Sequence, residues 1–178
     1  IAWPGEDADV DYFYAMALAH GVTSIRVLGA PLPWAIAQRS RIESGETLAP
    51  RSWTSGPNLE PPPAFGFSRR SVADEAAARR EVREQRGAAV DWISVASGVS
   101  EELVRAIVDE AGQGAAAAPS PSADRRPRAA AGRGRADASS GGAGQGRPVR
   151  VAVAAGTVPM LALARLRVHS IEGLGPPA

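Results

Sequence analysis

Hydrophobic positions along this chain switch between two periods, and the switches mark its elements. Residues 9–19, DVDYFYAMALA, are apolar nearly all round behind two acidic positions, which predicts a buried helix with Asp9 and Asp11 in its first turn. His20-Gly21 closes it, with Gly21 in a left-handed C-terminal role. VTSIRVLG (22–29) is rich in β-branched residues and predicts a strand. PWAIAQRSRIESG (33–45) predicts a second helix ended by Gly45, and RSWTSG (51–56) a short strand. The proline-rich stretch PNLEPPPAFGF (57–67) predicts a loop.

A polar helix is expected over 72–86, capped by Ser71, with Asp74 and Glu75 in its first turn and Gly87 as its stop. Its Glu75–Arg79 and Arg80–Glu84 spacings suit i,i+4 ion pairs, each contributing a few tenths of a kcal/mol (about 0.2–0.5). VDWISV (90–95) reads as a buried strand. Ser100 then caps a helix whose apolar face is Leu103, Val104, Ile107, Val108 and Ala111, and Gly112 ends it. Further on, PVRVAVAAG (148–156) predicts a strand, TVPMLALARLR a short helix and VHSIEGLG (168–175) a last strand.

Between these lies a break. Residues 113–147 contain no Val, Ile, Leu, Met or aromatic residue. Such a run cannot bury enough apolar surface to offset chain entropy, so it is expected to be disordered. The division is therefore 1–112, an α/β segment; 113–147, a disordered Ala/Gly/Pro/Arg-rich segment; and 148–178, a βαβ segment of the same domain. The alternation of strand and helix implies right-handed crossovers and about five parallel strands. That is too few for an eight-stranded barrel, which takes about 250 residues.

Charge adds an asymmetry that the net +1 conceals. Residues 1–112 hold 11 Arg against 16 acids, and residues 113–178 hold 9 Arg against 3 acids. The 20 basic residues are all Arg. The absence of Lys excludes a Schiff-base, P-loop or carboxylated lysine in this chain, and the absence of Cys excludes thiolate metal sites and disulfides. No apolar run approaches the roughly 20 residues of a membrane span, and no signal peptide is evident. A cytoplasmic location is favoured, although a start at Ile1 leaves room for a missing N-terminal segment.

Four phrases in order carry a family resemblance: LAHGVTSIRVLGAP, RIESGETLAPRSWTSGP, VREQRGAAVDWISVASGVSEELVRAIVDEAG and VRVAVAAGTVPMLALARLRVHSIEGLG. Together they resemble the amidohydrolase superfamily, in its imidazolonepropionase-like and Xaa-Pro dipeptidase-like branch. The resemblance implies a (β/α)8 barrel of which this chain covers about the second to the sixth strand. It also implies hydrolysis of C–N bonds in dipeptide-like or cyclic amide substrates, by a water activated on zinc or another divalent metal at the strand ends.

The same comparison marks ligand positions that this chain has substituted. Ser94 stands where relatives carry a metal-bridging carboxylated Lys, and Ala154 and Gly173 stand where they carry His. Val27 stands where an acid is frequent, and the first-strand His-x-His pair and last-strand Asp fall outside these residues. Zinc needs about three protein donors of N, O or S, and Ala and Gly offer none. No cofactor is expected in this chain, which is expected to be inactive. His169 and Glu172 are the weak substitute candidates, each with a structural role as the expected one. His20 reads as a helix C-terminal residue. A triad of Ser94 or Ser97 with His169 lacks the G-x-S-x-G elbow.

The alternative reading is a non-enzymatic interaction protein using RRPR (125–128) and GRGR (132–135). Arg-rich segments bind phosphates, but residues 113–147 offer no aromatic to stack on bases, so nucleic acid is not the expected partner. A third reading takes 113–147 as the product of a shifted frame in GC-rich coding sequence, which would make the chain a gene fragment. Open sheet edges would make it prone to self-association.

Overall fold

The computed structural model describes residues 9–113, 149–154, 162, 165, 166 and 168–172. The elements are α1 (Val10–Ala19), β1 (Ser24–Val27), α2 (Leu32–Glu43), β2 (Arg51–Thr54), β3 (Asn58–Glu60), β4 (Arg69–Ser71), α3 (Glu75–Gly87), β5 (Trp92–Val95), α4 (Glu101–Gly112), β6 (Arg150–Ala154) and β7 (Ser170–Glu172). Almost all of 113–147 lies outside the described residues, as does most of the helix expected after β6.

Caps set the helix starts. Asp9 caps α1 rather than standing in its first turn, its carboxylate accepting from the Tyr12 N–H at 2.9 Å. Ser100 caps α4 as expected, accepting from the Leu103 N–H. For α3 the expected cap is displaced. Asp74 accepts from the Ala77 N–H at 2.7 Å, and the helix begins at Glu75. Ser71 is occupied elsewhere, paired with Glu60 in the β3–β4 ladder. A side chain that can cap also sits in a backbone that can extend, and the ladder decides between them. Gly87 belongs to α3, and the left-handed turn falls on Ala89 at φ 56°. Gly21 and Gly45 have φ of 78° and 76°, the conformation expected of residues that close helices.

The strands are parallel throughout, in two sheets ordered β1-β2 and β4-β3-β5-β6-β7. A bridge between Ser55 and Trp92 joins the two. β2 and β3 are consecutive pieces of one kinked path, and β4 (Arg69–Ser71) is a further strand that was not expected, so the five expected strands become seven among the described residues. The expected loop at 57–67 thus contains a strand: Leu59 is fully buried, paired with Val95 on one side and Arg70 on the other. The kink is pinned by Gln85, whose Nε2 donates to the Pro57 carbonyl at 3.1 Å. A Cβ at Gly56 would sit 2.7 Å from the Gln85 side chain, which would have to shift to admit it. The seam also carries Arg39, which donates to Thr54 Oγ1 at 2.8 Å and to the Ala89 carbonyl at 2.6 Å.

Alternation assigns the two faces of the wall. Ile93, Val95, Val151 and Val153 point outward into a core with Val82, Val104 and Ile107 of the covering helices α3 and α4. Ile25 and Val27 point outward beneath α1 and α2, against Tyr14 and Ala35. Each such side chain, once fully buried, contributes about 1.5–3 kcal/mol of transfer free energy. Glu110 is nearly buried between α3 and α4, and its carboxylate lies 3.4 Å from both Arg79 and Arg83. Among the described residues no helix is long and apolar enough to cross a membrane.

Candidate functional site

In parallel α/β walls, chemistry sits where the strands end, because the loops there converge. The ends of β1, β3 and β5 are drawn together. Gly29, at φ 70°, follows β1, and its N–H donates to Ser55 Oγ at 2.8 Å. A Cβ there would lie 2.7 Å from the Asn58 carboxamide. Gly98, at φ 94°, follows β5 with similar closeness to Pro61, at 3.0 Å. The fold therefore closes the backbone tightly around the expected site.

Ser94 is buried at the inward face of β5, two residues beyond Trp92. Its register partner is Ala152, whose next partner is Ser170. Ala154 comes one row higher, paired with Glu172. The described strand ends place Ser94 and Ala154 on neighbouring strands, where they offer a hydroxyl and a methyl. Gly173 lies outside the described residues, as does the side chain of Glu172. Among the described residues no cluster of three His, Cys, Asp or Glu could hold a metal. This donor set does not fit zinc, which needs about three strong ligands.

Val27 turns away from this face. Its side chain is buried on the outward face, in the core beneath α1 and α2. An acid at this position would point away from the strand-end cleft.

Neither histidine joins Ser94. His20 is the C-cap of α1, and its Nδ1 donates to the Met16 carbonyl at 2.8 Å. His169 sits just before β7, near the opposite end of the strands. Its N–H donates to the Val151 carbonyl at 2.9 Å, and its Nδ1 accepts from the Val151 N–H at 3.2 Å. The ring therefore carries its proton on Nε2 and stands edge-on to Trp92, centroids 6.5 Å apart. Burial, and then the charge of Arg150, lower its pKa from the ordinary value. Ser97 is exposed in the turn after β5, so the Ser-His triad is not assembled.

Two strand-end groups escaped the sequence reading. Glu60 closes β3, but its carboxylate is engaged by Arg69 at 3.1 Å. Ser55 is fully buried and spends its hydroxyl on the Gly29 N–H and the Gly56 carbonyl. For Glu60 the missing signal is the strand β3, which the proline-rich sequence hid; Ser55 lies in the expected 51–56 strand, and only the fold shows that it is buried.

This wall of parallel strands, helix-covered on its outer face, is the architecture of a partial amidohydrolase-like fold, and solved structures bear that out. A Bifidobacterium longum protein assigned as a prolidase superposes with a TM-score of 0.62 at 24% identity, over 91% of this chain and 35% of its own. An A. niger ochratoxinase gives 0.61 at 15% identity, over 91% and 39%. A Xaa-Pro dipeptidase with methionine in its active site gives 0.58 at 17% identity, over 90% and 39%. The chain spans little more than a third of the length of these proteins. No family model matches the chain, and no curated protein matches it in sequence.

Proposed function

We propose that this chain carries the scaffold of a metal-dependent C–N bond hydrolase without a working metal centre, and that it does not itself hydrolyse peptide or cyclic amide bonds. The observation that carries the reading is the strand-end register, in which Ser94, Ala152 and Ala154 occupy neighbouring inward positions of β5 and β6. A hydroxyl and two methyls cannot polarise a carbonyl or lower the pKa of water toward 7, as tightly held zinc does. The strand-end acid Glu60 is engaged by an arginine, which leaves it poorly suited to deprotonate a water. The likeness to prolidase, dipeptidase and amidohydrolase structures supports the hydrolase ancestry of the scaffold.

The test is metal content and turnover of the purified 178-residue chain. It should retain far less than one zinc per chain after gel filtration. With added zinc, cobalt or manganese it should show no chelator-sensitive hydrolysis of Xaa-Pro dipeptides or lactams. Stoichiometric metal, or turnover that a chelator abolishes, would overturn the reading.

A further inference from the structure

The sequence of α1 is apolar nearly all round and predicts a buried helix, yet the structure covers only one side of it. Val10 and Tyr14 enter the core with Ile25 and Val27 of β1. Away from that core, Tyr12, Ala15, Met16 and Ala19 are all exposed, Tyr12 by 64% and Met16 by 40%. Their spacing is i, i+3, i+4, i+7, which aligns them in one stripe along the helix. Phe13 flanks the stripe and is also exposed. Asp11 is the single charged side chain of α1, and it is turned to Arg41 of α2 at 2.6 Å. The stripe itself therefore carries no charge.

This pattern is that of a helix-packing seam, and it complements itself. Two copies of α1 can be set antiparallel about a two-fold axis midway between residues 15 and 16. Tyr12 of one copy then lies level with Ala19 of the other, and Met16 level with Ala15. Each large side chain meets a small one, which is how packed helices interdigitate. A parallel pair would instead set Tyr12 against Tyr12 and Ala15 against Ala15, crowding one level and leaving a gap at the next. The exposed fractions amount to on the order of 400 Å² of apolar surface per copy, about half of the roughly 800 Å² per partner in a standard stable interface. The seam suits a weak, reversible pair.

We propose that the outer face of α1 docks a second copy of this chain, as an antiparallel α1–α1 pair in this register. An isologous contact of this kind closes at two copies. It uses no residue of the strand ends, so it stands or falls independently of the hydrolase reading.

The test is sedimentation equilibrium of the full 178-residue chain, which should show a monomer–dimer equilibrium with a Kd on the order of 100 μM. Met16→Glu and Ala15→Glu each place a charge in the seam and should weaken association about tenfold or more. Phe67→Ser removes a large exposed apolar side chain from the loop before β4 and should leave association unchanged. Thermal melts of each variant verify folding. The chain has no cysteine, so introduced ones report the register. A mixture of Tyr12→Cys and Ala19→Cys copies should form a mixed disulfide several-fold faster than either variant forms one with itself. Level positions come within reach of a disulfide, whereas two copies of residue 12 stand about 10 Å apart along the helix axis. The proposal is overturned if the chain stays monomeric up to about 1 mM, well above the expected Kd. It is equally overturned if folded Met16→Glu and Ala15→Glu both associate like the parent, if Phe67→Ser weakens association as much as they do, or if the mixed disulfide has no advantage.

Discussion

At the start of β5 and β6, Trp92 pairs with Arg150; two residues on, Ser94 pairs with Ala152, and beyond them Ala154 pairs with Glu172 of β7. The same strands therefore present an aromatic, cationic row at one end and rows of small side chains towards the other. Their outward faces do not differ in this way, since Ile93, Val95, Val151 and Val153 all enter one core with α3 and α4. The contrast teaches that holding the wall and furnishing its ends are separate tasks. Outward burial keeps the fold, and the inward positions hold serine and alanine without loss of architecture. Function has to be argued from the site and not from the fold.

If the N-terminal end is a packed cluster, Trp92→Ala should cost about 3–5 kcal/mol, as large aromatic truncations in cores do. The ring is 8% exposed and is approached by Arg26, Arg150 and His169. Chemical denaturation reads the loss, and a midpoint within error of the parent would erase the distinction between the two ends.

Next in size comes the helix layer, which supports both ends. Glu110→Ala leaves Arg79 and Arg83 without their shared carboxylate and the α3–α4 contact with a gap. The expected loss is about 1–3 kcal/mol, less than for a fully buried pair because both arginines reach solvent. Glu110→Gln should recover part of it by keeping a hydrogen bond to Arg79. Equal losses in the two variants would show that charge rather than packing and hydrogen bonding carries the effect.

At the C-terminal end, Ser94→Ala should change stability by less than about 1 kcal/mol, the net worth of one hydroxyl hydrogen bond. A loss comparable to that of Trp92→Ala would mean that this end too is organised around a specific group.

The smallest effect is a pH dependence. His169 accepts a hydrogen bond at Nδ1, and protonation would turn that acceptor into a donor facing the Val151 N–H. Its pKa is lowered by burial and, secondarily, by Arg150. A depressed value favours the neutral ring in the folded state. The contribution is therefore complete above the ordinary histidine value of about 6.5 and is lost as pH falls from there through the folded value. Melting temperature should drop between about pH 7.5 and pH 5.5, and less steeply in His169→Gln. Identical slopes would assign the titration to another group.

The helices were legible because their signals are local. The Ser100 cap, the Val104–Ile107–Ala111 stripe and the closing glycines Gly21 and Gly45 act within a turn or two of where they stand. The expectation for α3 was off by three residues because Ser71 and Asp74 both qualify as caps. Only the pairing of Ser71 with Glu60 removes the first. The expectation for Ser94 and Ala154 came from the resemblance, whose correspondence for Val27 did not consider which way that residue points. The strand Ser24–Val27 alternates polar and apolar residues, a pattern that places Val27 with Ile25 on the buried face and that the family correspondence overrode.

By itself, then, the sequence determined the parallel α/β class, the helix faces and the identity of the strand-end residues, because capping, periodicity and donor chemistry are properties of neighbouring residues. Tertiary structure alone decided that the proline-rich stretch contributes β3 and that Arg26, Trp53, Trp92 and Arg150 line one shallow depression. Each of these depends on pairing between segments far apart in the chain. The free energy of such pairing comes from burial and ladder hydrogen bonds that no local window contains.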